Sequence, residues 1–179
     1  MMKYINWTLI LIVILLALGC NKANEITLPE LIISNYDSLL VESVVNITPD
    51  LVVANLKEWD LDEVATNLAE DMLYFNSISG VITSKAYSDG KVLDYVQEMK
   101  QTFENVTVLS DKEFIFNEHN YFEYFLYNDG YIIIKVIVEL DNSNYIDTNI
   151  LVDEIKYPEL ISEIETYLAS ISILNSGDN

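Results

Sequence analysis

The chain has 179 residues, half of them hydrophobic, with 29 Asp and Glu against 9 Lys, no Arg, and a formal charge of −20. Such an acidic surface repels phosphate backbones, whose binding rests on neutralisation by Lys and Arg, so it argues against a nucleic-acid partner. Only 5 Gly and 3 Pro in so apolar a chain exclude a disordered tail, and a single Cys excludes an internal disulfide, so stability must come from an ordinary one-domain core.

The first segment, Met1-Met2-Lys3-Tyr4-Ile5-Asn6-Trp7, carries one cation and leads into the uncharged run Thr8 to Leu18, then Gly19-Cys20. A positive start, an apolar stretch of about 7–15 residues and small residues at a cut site are the layout of a secretory signal. The run falls short of the roughly 20 apolar residues of a membrane span. Leu16-Ala17-Leu18-Gly19-Cys20 resembles the lipobox of bacterial lipoprotein precursors, in which the thiol takes a diacylglycerol and the peptide is cut before it. The resemblance implies a signal peptide over residues 1–19, lipidation at Cys20 and a domain held at the bacterial cell envelope, outside the cytoplasm. Asn21 rather than Asp after the Cys points to the outer membrane in a Gram-negative host. The membrane, reached through that anchor, is then the first expected partner, and at about 0.8 kcal/mol per buried methylene two or three acyl chains hold stably.

Residues 20–47 comprise the lipidated Cys, a polar tether and a leading element over 31–47 whose apolar residues lack a clean period, leaving helix and strand both open; the domain proper is placed at 48–179. Thr48-Pro49-Asp50 has the form of a helix start and predicts a helix running through Trp59. Asp60-Leu61-Asp62-Glu63 restarts it, with Val64, Leu68 and Met72 as an apolar stripe, up to about Asp71. Met72-Leu73-Tyr74-Phe75 reads as a short strand, and a looser stretch follows Gly80. Val92, Val96, Met99 and Phe103 then repeat at helical spacing.

After Asn105 the period becomes two. Strands are expected over 106–109, 112–116, 121–127, 131–140 and 145–157, broken at 117–120, 128–130 and 141–144. Asp129-Gly130 signals a hairpin, since both residues tolerate positive φ. One face of 131–140 is wholly apolar (Ile132, Ile134, Val136, Val138, Leu140), while the other carries Lys135 and Glu139. Pro158-Glu159-Leu160 opens a last helix whose Leu160, Ile161, Ile164, Leu168 and Ile171 form a stripe, suited to core packing or to a homodimer face.

Helices followed by an antiparallel meander give an α+β order. The stretch from Val52 to Met72, with its Asp60-Leu61-Asp62 break and the Leu68-Ala69-Glu70-Asp71 ending, resembles the opening of the nuclear-transport-factor-2-like superfamily, the SnoaL-like or cystatin-like rolls. That resemblance implies a cone: N-terminal helices packed on a strongly curved antiparallel sheet around an apolar pocket, with the C-terminal helix added. It makes Trp59, Tyr74, Asn76 and Tyr124 the candidate pocket residues. Ketosteroid isomerases of this superfamily place an Asp base where this chain has Asn76, and an amide cannot take up the proton. The expected function is therefore non-catalytic binding of a small apolar ligand or a partner protein, with an isomerase or polyketide-cyclase type of pocket enzyme as the alternative.

Other chemistry is sparse, and no catalytic motif, cofactor or metal is expected. His119, the only histidine, lies in the polar run 117–120 and reads as a solvated turn residue. Without a His or Cys pair the usual zinc sites are removed. Asp141-Asn142-Ser143-Asn144 and Asp147-Thr148-Asn149 offer oxygen ligands, but Tyr145, Ile146 and Val152 stand where an EF-hand loop needs a ligand, Gly and Glu. Tyr121, Tyr124, Tyr127 and Tyr131 fit half-buried strand positions as well as a sugar or lipid site. Glu123 shares a strand face with Tyr121 and Phe125, which suits either a pocket or an exposed side.

Overall fold

The computed structural model describes residues 28–68, 70–88 and 90–176; Cys20, the expected signal segment 1–19 and most of the expected tether lie outside them. The alternating stretches form a meander of β6 (Thr107–Phe116), β7 (His119–Asn128), β8 (Tyr131–Glu139) and β9 (Tyr145–Asp153), each antiparallel to the next. Two of its turns contain two residues, both at positive φ: Asn117 and Glu118 at 50° and 68°, Asp129 and Gly130 at 47° and 85°. That geometry matches the twist of the flanking strands. On its other edge β9 pairs with β5 (Gly80–Tyr87), which continues to β4 (Met72–Asn76) and β3 (Asp60–Leu61), for a seven-stranded order β3-β4-β5-β9-β8-β7-β6.

Both faces of this sheet are covered. One carries α3 (Tyr157–Asn175), the two-stranded hairpin of β1 (Val41–Thr48) and β2 (Leu51–Leu56), and an extended strap over residues 28–34 whose Leu31 and Ile33 are buried. The opposite face carries α2 (Val92–Lys100), which buries Val92, Val96 and Met99 against Phe122, Tyr124, Leu126, Ile137 and Tyr145. A short helix, α1 (Glu63–Leu68), bridges β3 and β4. Ile164, Leu168 and Ile171 of α3 are fully buried in the first core, so the stripe of this helix is used within the chain. Among the described residues both cores are built from side chains between 28 and 176, all of which a chain beginning at Asn21 contains.

The expected cone is replaced by a mostly-sheet α+β fold: among the described residues no N-terminal helices pack on a curved sheet. Residues 48–59, expected to be helical, instead end β1 at Thr48, turn at Pro49-Asp50, form β2 and turn again at 57–58. Proline's fixed φ suits a turn as well as the first position of a helix. The choice falls to the strand because Val45 pairs with Val53, aligning two β-branched residues whose χ1 restriction favours sheet. The leading element left open over 31–47 thus supplies both the strap and β1.

Smaller corrections have similar causes. Helix α1 ends at Leu68, Val64 is 72% exposed, and Met72 belongs to β4 rather than to a helical stripe. The stretch after Gly80 is a full strand, hidden in the sequence because its buried face mixes Ile82 with Ser84 and Ala86. Segments 106–109 and 112–116 form the single strand β6, irregular between Val108 and Ser110. His119 is a half-buried strand residue paired with Phe116, since the turn needs only Asn117 and Glu118.

Two glycines separate crowding from backbone strain. A Cβ on Gly80 would stand 2.6 Å from both the Leu151 carbonyl and Val152 Cγ1, whereas one on Gly130 meets nothing within 4 Å but sits at φ +85°. Gly80→Ala is expected to cost about 1–3 kcal/mol through overpacking, and Gly130→Ala about 1–2 kcal/mol through its left-handed backbone. Urea unfolding of the two variants measures both.

Candidate functional site

Alternation along β8 points Ile133, Lys135 and Ile137 towards α2, so a lysine lies between two isoleucines on the face that α2 covers. Across the ladder Lys135 pairs with Asn149 on β9, and Asp147 projects from the same face two residues away. The Lys135 ammonium donates to Asp147 Oδ1 at 2.7 Å, to Asp147 Oδ2 at 2.8 Å and to Asn149 Oδ1 at 2.9 Å. From α2 the Tyr95 hydroxyl donates to Asp147 Oδ2. Lys135 is 9% and Asp147 5% exposed. Burial, and then the bond to Asp147, hold the Tyr95 phenol far above its ordinary pKa, so it stays a neutral donor. Tyr87 stacks on Tyr145 with centroids 4.8 Å apart, and Tyr95 tilts against both rings.

This cluster forms one end of a 510 Å³ cleft between the sheet and the α2 layer. Met99, Phe103, Val106, Leu126 and Ile133 make its walls, Glu98 and Thr102 its rim, and Tyr95, Lys135 and Asn149 its polar end. Phe103 comes from the short 3₁₀ turn Gln101–Asn105 that extends α2. The volume is within the range of small-molecule sites, which are mostly apolar with a few fixed polar groups. Chemically the cleft can seat an apolar body and offer an amide or phenol edge. The lysine's protons are already directed to Asp147 and Asn149, so it stands as no free base or nucleophile.

The four residues expected to line one pocket are not brought together. Trp59 is buried in the α3-side core and its indole N–H donates to Glu163 at 2.8 Å. Tyr74 is half-buried in β4, and Asn76, exposed at the end of that strand, donates to Asp62 at 3.2 Å. Tyr124 lies on the opposite sheet face from Trp59, its ring centroid 5.4 Å from that of Phe103, which places it beside the cleft.

Sequence reasoning missed the Lys135–Asp147–Asn149 group. A lysine within an Ile/Val strand, followed in the next strand by two polar residues at i and i+2, is the available signal. The calcium reading of 147–149 fails physically because Lys135 occupies the cationic position. Asp141 accepts from the Ser143 and Asn144 amides and the Asn144 side chain, a local turn that holds its carboxyl below the usual range. Among the described residues no cluster of three His, Cys, Asp or Glu is placed to hold a metal.

No family model matches the chain, and no curated protein matches it. Among solved structures it is similar to the solution structure of cyanobacterial PsbP (CyanoP) from Synechocystis sp. PCC 6803, with a TM-score of 0.51 at 11% identity, over 73% of this chain and 91% of that one. A protein of unknown function from Pseudomonas aeruginosa, PA94, aligns with a TM-score of 0.45 at 10% identity, over 72% and 94% of the two chains. The first likeness is one of fold alone. It agrees with the mostly-sheet α+β arrangement of the described residues.

Removing one partner of the buried pair strands the other charge. Lys135→Met or Asp147→Asn is expected to cost about 3–5 kcal/mol, and replacing both with apolar residues much less. Guanidinium unfolding of the two single variants and the double variant closes the cycle; additive losses would show that the pair is not coupled.

Proposed function

We propose that the protein is a lipid-anchored bacterial envelope protein whose α2-side cleft binds a small apolar ligand without transforming it. The observation that carries the ligand reading is the apolar wall of Met99, Phe103, Val106, Leu126 and Ile133 ending in a polar group already neutralised within itself. A ligand there gains from burial of its body at about 25 cal/mol per Å² and needs no charge of its own. Tyr95 remains protonated, which supports binding rather than proton transfer. The anchor rests on Gly19-Cys20 after the uncharged run, with a short polar tether ahead of the strap. The charge of −20 supports a domain that stays in water and avoids nucleic acid. The isomerase or cyclase alternative depended on the roll and on an acidic residue displaced from the Asn76 position; the roll is replaced by a sheet covered on both faces, and Asn76 is an exposed amide bonded to Asp62.

Native mass spectrometry of the chain from Asn21 onward should retain a small apolar molecule. Val106→Trp, which fills the cleft from its wall, should lower affinity for that molecule, or for the fluorescent probe anilinonaphthalene sulfonate, at least tenfold (about 1.4 kcal/mol) while the circular dichroism is preserved. Unchanged affinity in the filled variant would refute the assignment.

For the anchor, Cys20→Ser in the full precursor should move the protein from the membrane pellet to the soluble fraction. A variant that still sediments with membranes would remove the lipid from the reading.

A further inference from the structure

A second polar residue faces a core, on the other side of the sheet. Along β7, Tyr121, Glu123 and Phe125 point towards the α3 layer, and Glu123 is only 2% exposed. Its cross-strand neighbour Lys112 gives its ammonium to Glu30 of the strap at 2.8 Å. Among the described residues no hydrogen bond reaches the Glu123 carboxylate; unlike Asn55 Oδ1 and Glu154 Oε2, which are sealed without a partner, it lines open space, with the Lys112 charge nearby. Glu165, buried on the same side, differs: it accepts from the Ile32 amide at 2.7 Å and from Asn35 at 2.9 Å. Glu123 opens into a groove between the strap and β6, a 230 Å³ cavity walled by Leu28, Leu31, Leu109 and Phe125. The groove continues along β6 as a 590 Å³ cleft that Glu123 and Lys112 also line. A buried carboxylate without a donor either keeps its proton or takes a cation.

We propose that this groove is a second binding site, for a small amphiphile bearing a protonated amine, with the ammonium on Glu123 and Glu30 and the apolar chain along Leu31, Leu109 and Phe125. Charge favours this class of ligand. Asp111 and Glu113 flank the groove, the one cation among its described lining residues is committed to Glu30, and the whole chain carries −20. A neutral amphiphile would leave the carboxylate as it is, and an anion would be repelled.

The groups facing Glu123 are Lys112 from β6, Glu30 from the strap and Tyr157 from α3, with Val136 opposite on β8. Burial raises the Glu123 carboxyl above its ordinary range, with Lys112 opposing and Glu30 reinforcing the shift; Tyr157 is itself raised and stays neutral. The folded chain therefore holds this proton to higher pH than the unfolded chain. Its stability falls as pH rises through the interval between the two values, while affinity for an ammonium rises over the same interval.

The test uses the chain from Asn21 onward and follows backbone amides by NMR with hexylammonium, 1-hexanol and hexanoate as matched probes. Hexylammonium should shift the amides of residues 30–33, 109–113 and 123 and bind at least tenfold tighter than hexanol, with hexanoate weakest. That preference should grow with pH and vanish in the near-isosteric Glu123→Gln, whose thermal midpoint at neutral pH should match or exceed the wild type. Equal binding of hexanol and hexylammonium, a preference that persists in Glu123→Gln, or shifts confined to the α2-side cleft would overturn the proposal. If Glu123→Gln does not fold, the pH dependence of the wild type decides: a flat preference overturns the site. With the preference established, sedimentation with phosphatidylcholine vesicles only when phosphatidylethanolamine is added assigns the amine to a lipid headgroup. Sedimentation indifferent to phosphatidylethanolamine assigns it to a free amine.

Discussion

Strand β8 is buried on both of its faces, and the rest of the architecture answers to that. Ile132, Ile134, Val136 and Val138 are fully enclosed on one side, and Ile137 is fully enclosed on the other. An antiparallel sheet can usually leave one face wet, but a central strand of this composition cannot. Two covering layers are therefore required, and the chain has few elements from which to build them. The 19-residue α3 with the β1–β2 hairpin and the strap closes one side, and the shorter α2 with its 3₁₀ extension closes the other. Because α2 and its extension cover only part of that side, the cleft remains beside them.

A sheet enclosed on both sides must satisfy its polar groups internally, and it does so in three ways. On the α3 side the Ser84 hydroxyl lies 2.7 Å from Thr148 Oγ1 and 2.8 Å from the Tyr167 hydroxyl, tying helix to sheet through neutral groups. At the edge of the hairpin, side chains of α3 replace a missing strand. Ser170 accepts from the Ala54 amide, and Asn175 both accepts from the Val52 amide and donates to its carbonyl. On the α2 side the solution is ionic, with Lys135 and Asp147 completed by Asn149 and Tyr95. Satisfied networks of this kind specify one register and one helix position, because any slip leaves a buried group unpaired. Glu123 stands outside this pattern, which is why its groove reads as a place for something the chain does not itself supply.

How far the sequence spoke for itself varied by element. The stripe Val92, Val96, Met99 and the Pro158-led helix form where their spacing places them, and Asp129-Gly130 turns as its residue types require. These signals are local and unshared. Thr48-Pro49-Asp50 is not, since the same three residues open a helix or close a hairpin, and only the partner strand 41–48 distinguishes the two. Strand β5 was hidden because its buried face carries Ser84 and Ala86, and a hydroxyl reads as solvent-facing until Thr148 and Tyr167 are seen beside it. The candidate site was less legible still: Tyr95, Lys135 and Asp147 come from three separate elements, and single-residue reasoning had no means of pairing them.

By itself, the sequence determined the acidic character, the run of alternating strands and the identity of two helices, all of which rest on composition or on periods within about 20 residues. The tertiary structure decided which strands are neighbours, that the sheet is covered on both faces rather than rolled into a cone, and where polar side chains meet. The physical reason is that pairing and burial are long-range quantities. The fate of Lys135 or Glu123 depends on the residue across the ladder and on the layer above it, and neither is written next to it in the chain.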